Sequence, residues 1–267
     1  MSSPWRNAPV FYVLAHIQFN AILGMAKFAG DIADRLRKIG YPDPQEEKQT
    51  VLSFGVAPDG SPSPHQVEQK EVPRWRISNT EKTSGFLLLQ DALIFHTTTY
   101  LDRDSFFTEL RKGLEVVHEV IELSFVDRIG LRYLNVVKPE AEETLAHYLK
   151  PEARGLGQYF VTGQLKHNMV ETVALLDCGT LISRAFTTNS AGGHPPMPPE
   201  LIPLSLKVQD RFSPCEGLVT VLDNDCFMEQ RIPFSISAIE VSLRKLRDGI
   251  DIAFQASITD YAKEKWQ

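Results

Sequence analysis

Cysteine is scarce. Three in 267 residues, Cys178, Cys215 and Cys226, are an odd number with no C-x-x-C pair, so the sequence offers neither a disulfide framework nor a zinc-ligand set. They read as buried free thiols in a reducing cytosol. No run approaches the ~18 uninterrupted apolar residues that a membrane helix needs. The amino-terminal MSSPWRNAPV lacks the basic-then-apolar order of a signal peptide. A cytoplasmic chain without a membrane partner is expected. A basic excess is missing too: 28 Lys and Arg against 34 Asp and Glu give a net charge of −6, which weighs against nucleic-acid or anionic-membrane binding because phosphate affinity rests on clustered cations. Recognisable chemistry is equally thin. There is no G-x-x-x-x-G-K-S/T or G-x-G-x-x-G phosphate loop, no H-E-x-x-H and no G-x-S-x-G elbow, and seven histidines are scattered without ligand spacing. No cofactor or metal is expected, no catalytic residue is assigned, and the chain leans away from being an enzyme.

What is present is an ordinary globular composition, 43% hydrophobic and 23% charged, in a chain long enough to bury a sizeable core. Residues 9–20 alternate like a strand. Residues 21–39 repeat Met25, Phe28, Ile32, Leu36 and Ile39 at helical spacing before Gly40 and Pro42 stop them. Residues 50–57 read as a strand and residues 59–73, rich in Gly, Ser and Pro, as a surface loop. Three short β runs follow at 74–79, 85–90 and 92–100, with a turn at Gln90-Asp91. A second helix is expected from Asp102–Ser105, which supply N-cap candidates, to about Leu123.

Residues 141–150 predict a short helix between Pro139 and Pro151, and strands are expected near 158–166, 168–176 and 180–187. Residues 187–203 pack five prolines and two glycines into seventeen positions and read as a long loop. Residues 205–212 read as a strand or a helical turn and 217–229 as a strand. Ser237 and Glu240 have capping-box spacing for a last long helix, whose apolar face runs from Ile239 through Ile258 to Tyr261. Both halves read as strands covered by a helix. The fold expected is therefore α+β, a largely antiparallel sheet, curved or pseudo-duplicated, with three principal helices against it; strictly alternating βα order is absent. It forms one domain over 1–267, or two similar halves, 1–138 and 139–267.

The most distinctive stretch is 124–140, SFVDRIGLRYLNVVKPE. Period-2 geometry places Ile129, Leu131 and Tyr133 on one face of a strand and Arg128, Gly130 and Arg132 on the other. Two arginines on one face of a central strand need carboxylates, a ligand or water. The acidic strand 219–225, VTVLDND, places Asp223 and Asp225 on a common face, so neighbouring strands would set two arginines against two carboxylates. That cluster is either a buried ion-pair network fixing strand order or a polar pocket for a small anionic or zwitterionic ligand.

RIGLRYLN at 128–135, LDND at 222–225 and SITDYAKE at 257–264, in a chain of this length, resemble a sporadically distributed bacterial family of uncharacterised proteins of about this size. The resemblance spans nearly the whole chain, with Phe106-Phe107 departing from the family's aromatic pair. It implies no activity. The family's sporadic occurrence implies mobile or defence-associated gene neighbourhoods.

Two functional expectations result. The first is a non-enzymatic interaction or accessory protein, in a bacterial defence or mobile system, binding another protein or its own copy through the 187–203 loop, with Gly192, Gly193, His194 and Met197 as contact candidates. The second is a small-ligand-binding protein or unrecognised enzyme using Arg128, Arg132, Asp223 and Asp225.

Overall fold

A computed structural model of the chain describes residue 5 and residues 7–56, 62–160, 164–204 and 206–267. β1 (Val10–Phe19) leads into α1 (Met25–Lys38); β2 (Asp43–Val56), β3 (Pro62–Ser78), β4 (Ser84–Leu88) and β5 (Ala92–Thr97) follow, and α2 (Arg103–Ile121) closes the first half. β6 (Phe125–Val137) starts the second. Two one-turn helices, α3 (Leu145–Tyr148) and α4 (Pro151–Arg154), precede β7 (His167–Leu176), β8 (Gly179–Ala191) and β9 (Glu216–Pro233), and α5 (Ile236–Ser257) and α6 (Asp260–Trp266) end the chain. Among the described residues no helix is long and apolar enough to cross a membrane.

The strands form one antiparallel sheet in the order β2-β3-β4-β5-β1-β6-β9-β8-β7, which makes the protein α+β. Each half is built alike: a first strand, helix, a meander whose last strand returns beside the first, then a long helix. β5 returns to β1, β9 returns to β6, and the β1–β6 pair joins the halves. In this topology β6 is to β9 what β1 is to β5, the strand beside which the meander returns.

Alternation gives the sheet two different faces. Val13, Ala15, Ile17, Ile129 and Leu131 meet Ile32 and Leu36 of α1, Phe107 and Leu110 of α2, and Leu243 and Leu246 of α5 in the main core. Each Val, Leu, Ile or Phe among them taken fully out of water contributes roughly 1.5–3 kcal/mol. Gly113 in α2 is where the ring of Phe86 seats; a Cβ there would come within 2.2 Å of it. The opposite face carries a second core of Tyr12, Leu14, Leu134, Val136 and Val221, covered by Leu201, Leu204, Val208 and Phe212. The proline-rich segment is thus a layer over the sheet: β8 runs to Ala191 and 3-10 turns occupy Pro199–Leu204 and Asp210–Phe212.

Several sequence expectations are corrected. The loop expected at 59–73 is strand from Pro62 onward, paired with β2; its prolines are tolerated because β4 pairs only with Trp75–Ser78, leaving the rest of β3 with one neighbour. Residues 59–61 lie outside the described residues. No strand occupies 158–160, where a 3-10 turn, Gly155–Tyr159, stands instead, and 161–163 lie outside the described residues. The last helix is capped by Ser235, whose hydroxyl accepts the Ala238 N–H, so the Ser237–Glu240 spacing is not the cap. That helix also ends at Ser257. Ile258 is extended and bridges Leu149, and Thr259 caps α6 by accepting the Ala262 N–H, so Tyr261 belongs to a new helix.

Candidate functional site

β6 and β9 are neighbours with Arg132 opposite Asp225 and Leu134 opposite Asp223, which brings the arginine and acidic strands onto one face. Arg132 donates from Nε and Nη2 to both carboxylate oxygens of Asp223, at 2.7 and 2.6 Å, and from Nη2 to Glu200 at 2.8 Å. The first pair is closed from solvent, with side-chain exposures of 9% and 5%. Glu200 sits on the Pro199–Leu204 turn, so Arg132 also ties the proline-rich segment to the sheet. Arg184 of β8 approaches Asp223 at 3.7 Å and pairs with Glu171 at 2.6 Å.

Arg128 is held differently. Its Nη1 donates to His16 Nδ1 at 3.1 Å, its guanidinium lies 4.4 Å over the Phe227 ring, and Glu229 stands 3.6 Å away. The intervening Gly130 leaves the room this needs, since a Cβ there would sit 2.8 Å from Arg128 Nη1. Burial first, and Arg128 second, push His16 down to about 4, so the imidazole is neutral and accepts. The Asp225 carboxylate makes no hydrogen bond among the described residues; burial raises its pKa against the pull of Arg132 and Arg128.

The loop candidates are engaged in structure. Gly192 and Gly193 have φ of +106° and +87°, a region that favours glycine, and the Gly193 carbonyl accepts the Cys215 N–H at 2.8 Å. His194 Nδ1 lies 2.9 Å from the Ser213 hydroxyl, and Met197 packs half-buried against the second core.

The other side of β6 opens on a cavity of about 780 Å³. Tyr133 and Asn135, the aromatic and amide residues of the R-x-G-x-R-Y-x-N string, project into it from the strand. Arg247 and Asp251 project from α5, and the N-terminal turn of α2 with Tyr100 closes one side. The packing fixes these groups. The Tyr133 hydroxyl donates to that of Tyr100 at 3.2 Å, the two rings meet edge to face at 5.3 Å, and the Arg247 guanidinium lies 4.6 Å over Tyr133 while pairing with Asp251. Asp102 caps α2 by accepting the Ser105 N–H at 2.8 Å, and Asp104 pairs with Arg244 of α5 at 2.9 Å, so α2 and α5 are clamped at the rim.

Two polar groups there are only partly satisfied. Asn135 is 6% exposed and its side chain makes no hydrogen bond among the described residues, and Arg103 Nε has no hydrogen-bond partner there beyond a long ion-pair approach to Asp104 at 3.5 Å. Burial holds the Tyr133 hydroxyl well above its ordinary range and raises the Asp251 carboxyl against the opposing pull of Arg247. Volume, an apolar end formed by Val10, Ile250 and Phe254, and a few fixed polar groups are the attributes of a small-molecule site. Among the described residues no three His, Cys, Asp or Glu side chains gather at metal-binding distance.

The residues singled out in the sequence, Arg128 and Arg132, lie on the opposite face of β6 from this cavity. Tyr133 and Asn135 were within the distinctive string; the signal that marked them was an amide at a core position of a strand. Arg247 and Asp251 carried a parallel signal, charges bordering the apolar stripe Leu243, Leu246, Ile250 and Phe254. No model of a known protein family matches this chain, and no curated protein matches it either.

Proposed function

We propose that the chain is a small-molecule-binding protein whose site is the cavity between β6, α5 and the start of α2. The observation that carries this is the buried, unbonded Asn135 amide facing a volume of about 780 Å³. The ligand has an apolar body for the Ile250 and Phe254 end and a hydrogen-bonding group for Asn135. The role is binding, because the ionisable groups are engaged with one another: Tyr133 is kept protonated by burial and bonded to Tyr100, and Arg247 is tied to Asp251. Such groups orient a ligand; they are poorly placed to exchange protons with it.

The test is a thermal-shift screen of small polar-apolar metabolites, followed by titration calorimetry on hits. Compounds that bind the native chain and lose about tenfold or more in affinity with Asn135→Leu support the site. Hits that bind Asn135→Leu and Arg247→Met as well as the native chain overturn it.

A second reading, an interaction protein, draws on a separate observation: β7 presents Met169, Val173 and Leu175 to solvent on a sheet edge that no other strand among the described residues pairs with.

A further inference from the structure

The two edges of the sheet are built by opposite rules. An edge strand offers unpaired N–H and C=O groups to any other strand, and proteins blunt it with proline, charge or bulges. β2 follows that rule at its start, with Pro44, Glu46 and Lys48 all exposed. β7 does not. Its ten residues, HNMVETVALL, contain no proline, lysine or arginine and no bulge against β8. Its one acid, Glu171, is already held by Arg184 at 2.6 Å. Met169, Val173 and Leu175 are 56%, 59% and 86% exposed, and among the described residues no backbone group of β7 bonds to anything but β8. Beside it, Leu156 and Tyr159 on the adjoining 3-10 turn are 74% and 77% exposed.

We propose that the outer edge of β7 is the interface through which a second copy of this chain pairs with the first, antiparallel, about a two-fold axis at Thr172, continuing the sheet from one protomer into the other. The backbone specifies a strand as occupant, and the side-chain pattern specifies this strand. An antiparallel two-fold pair places residues of equal parity opposite each other. Centred on Thr172, it sets Met169 against Leu175 of the second copy twice over, joining the exposed apolar positions into one stripe, with Val173 covering the aliphatic part of Glu171. Centring on Glu171 opposes that carboxylate to its own copy, and centring on Ala174 opposes it to Asp177; like charges directly opposite are unfavourable. Centring on Val173 avoids both clashes but sets Met169 against Asp177 and Leu175 against Glu171, and centring on Val170 sets Met169 against Glu171, so the Thr172 register is the one that joins Met169 to Leu175 without a like-charge clash. The inference is independent of the cavity, which opens beside β6.

Sedimentation equilibrium of the full chain tests it. The expected species has twice the 30.1 kDa chain mass and dissociates on dilution. Lysine at an exposed apolar edge position should weaken association by about 30-fold, the scale of an interface hot spot, for Leu175→Lys and Val173→Lys alike. Both positions are exposed, so the thermal midpoint of the diluted monomer should stay at the native value. A second variant reads the register itself: Thr172→Cys, exposed and on the axis, should form an intermolecular disulfide with its own copy under mild peroxide, two thiols losing two protons and two electrons to the peroxide, where the native chain does not. A chain that stays monomeric at high concentration overturns the proposal. So does a dimer that both lysine variants leave intact and Thr172→Cys does not cross-link.

Discussion

Arg132 and Tyr133 are adjacent in the chain and stand on opposite faces of one strand, and their surroundings differ in kind. Arg132 meets a carboxylate placed to match it, with both oxygens of Asp223 taken and the pair shut from water. Tyr133, with Asn135 two residues on, faces a space bounded by three elements in which the Asn135 side chain and Arg103 Nε make no hydrogen bond among the described residues, Arg103 Nε having only a 3.5 Å approach to Asp104. Charge density alone marks the first face as the site. Satisfaction of hydrogen bonds reverses that order: the Arg132–Asp223 pair, matched at both carboxylate oxygens, has little left to offer a ligand, whereas Asn135 has its whole amide.

The largest expected effect falls on the matched face. Asp223→Ala takes from Arg132 its two-pronged partner, leaving it buried with Glu200 and the more distant Asp225 carboxylate, and should cost roughly 3–5 kcal/mol in chemical denaturation, while the joint replacement Arg132→Met with Asp223→Leu should cost far less, because the buried pair is removed together. Ligand affinity of the folded fraction should be unchanged in both. If the double variant is as damaged as the single, the pair is more than a scaffold.

Acid provides the next effect. His16 titrates at its ordinary 6.5 when unfolded and near 4 when folded, so the unfolded state binds more protons between those values. Its contribution to stability is fully present above pH 6.5 and is lost as pH falls towards 4, by up to about 1.4 kcal/mol per pH unit. His96, pushed down to about 3 by burial, adds in the same sense. A His16→Gln variant should show a shallower decline of denaturation midpoint with pH; an unchanged slope contradicts the burial of a neutral His16 against Arg128.

On the cavity face the signs exchange. Asn135→Leu should change stability by less than about 1 kcal/mol or raise it, since an unmatched amide is removed, and should cost ligand affinity about tenfold or more. The smallest effect is Tyr133→Phe, which deletes one hydrogen bond to Tyr100 and should cost about 1 kcal/mol in a denaturant melt.

Local pattern carried most of the architecture. Alternation located β1, β6 and β9, and helical spacing located α1, α2 and the body of α5, because each buries one face in the main core. Where pattern failed, a non-local partner decided: β3 keeps its strand through prolines because β2 pairs with it, and Ile258 leaves the helix to bridge Leu149. The arginine and acidic strands were legible as a pair, since matching faces are a period-2 property. The cavity was not, because Tyr100, Tyr133 and Arg247 come together only when α2 and α5 pack beside each other on β6 in the main core.

The most direct measurement is native mass spectrometry of the chain purified from its own source, native beside Asn135→Leu and Asp223→Ala, each compared with the denatured sample. A small-molecule adduct on the native chain and on folded Asp223→Ala, missing from Asn135→Leu, is the result predicted for a site on the cavity face of β6. An adduct that survives Asn135→Leu and disappears with Asp223→Ala would place the site on the arginine face and contradict the account.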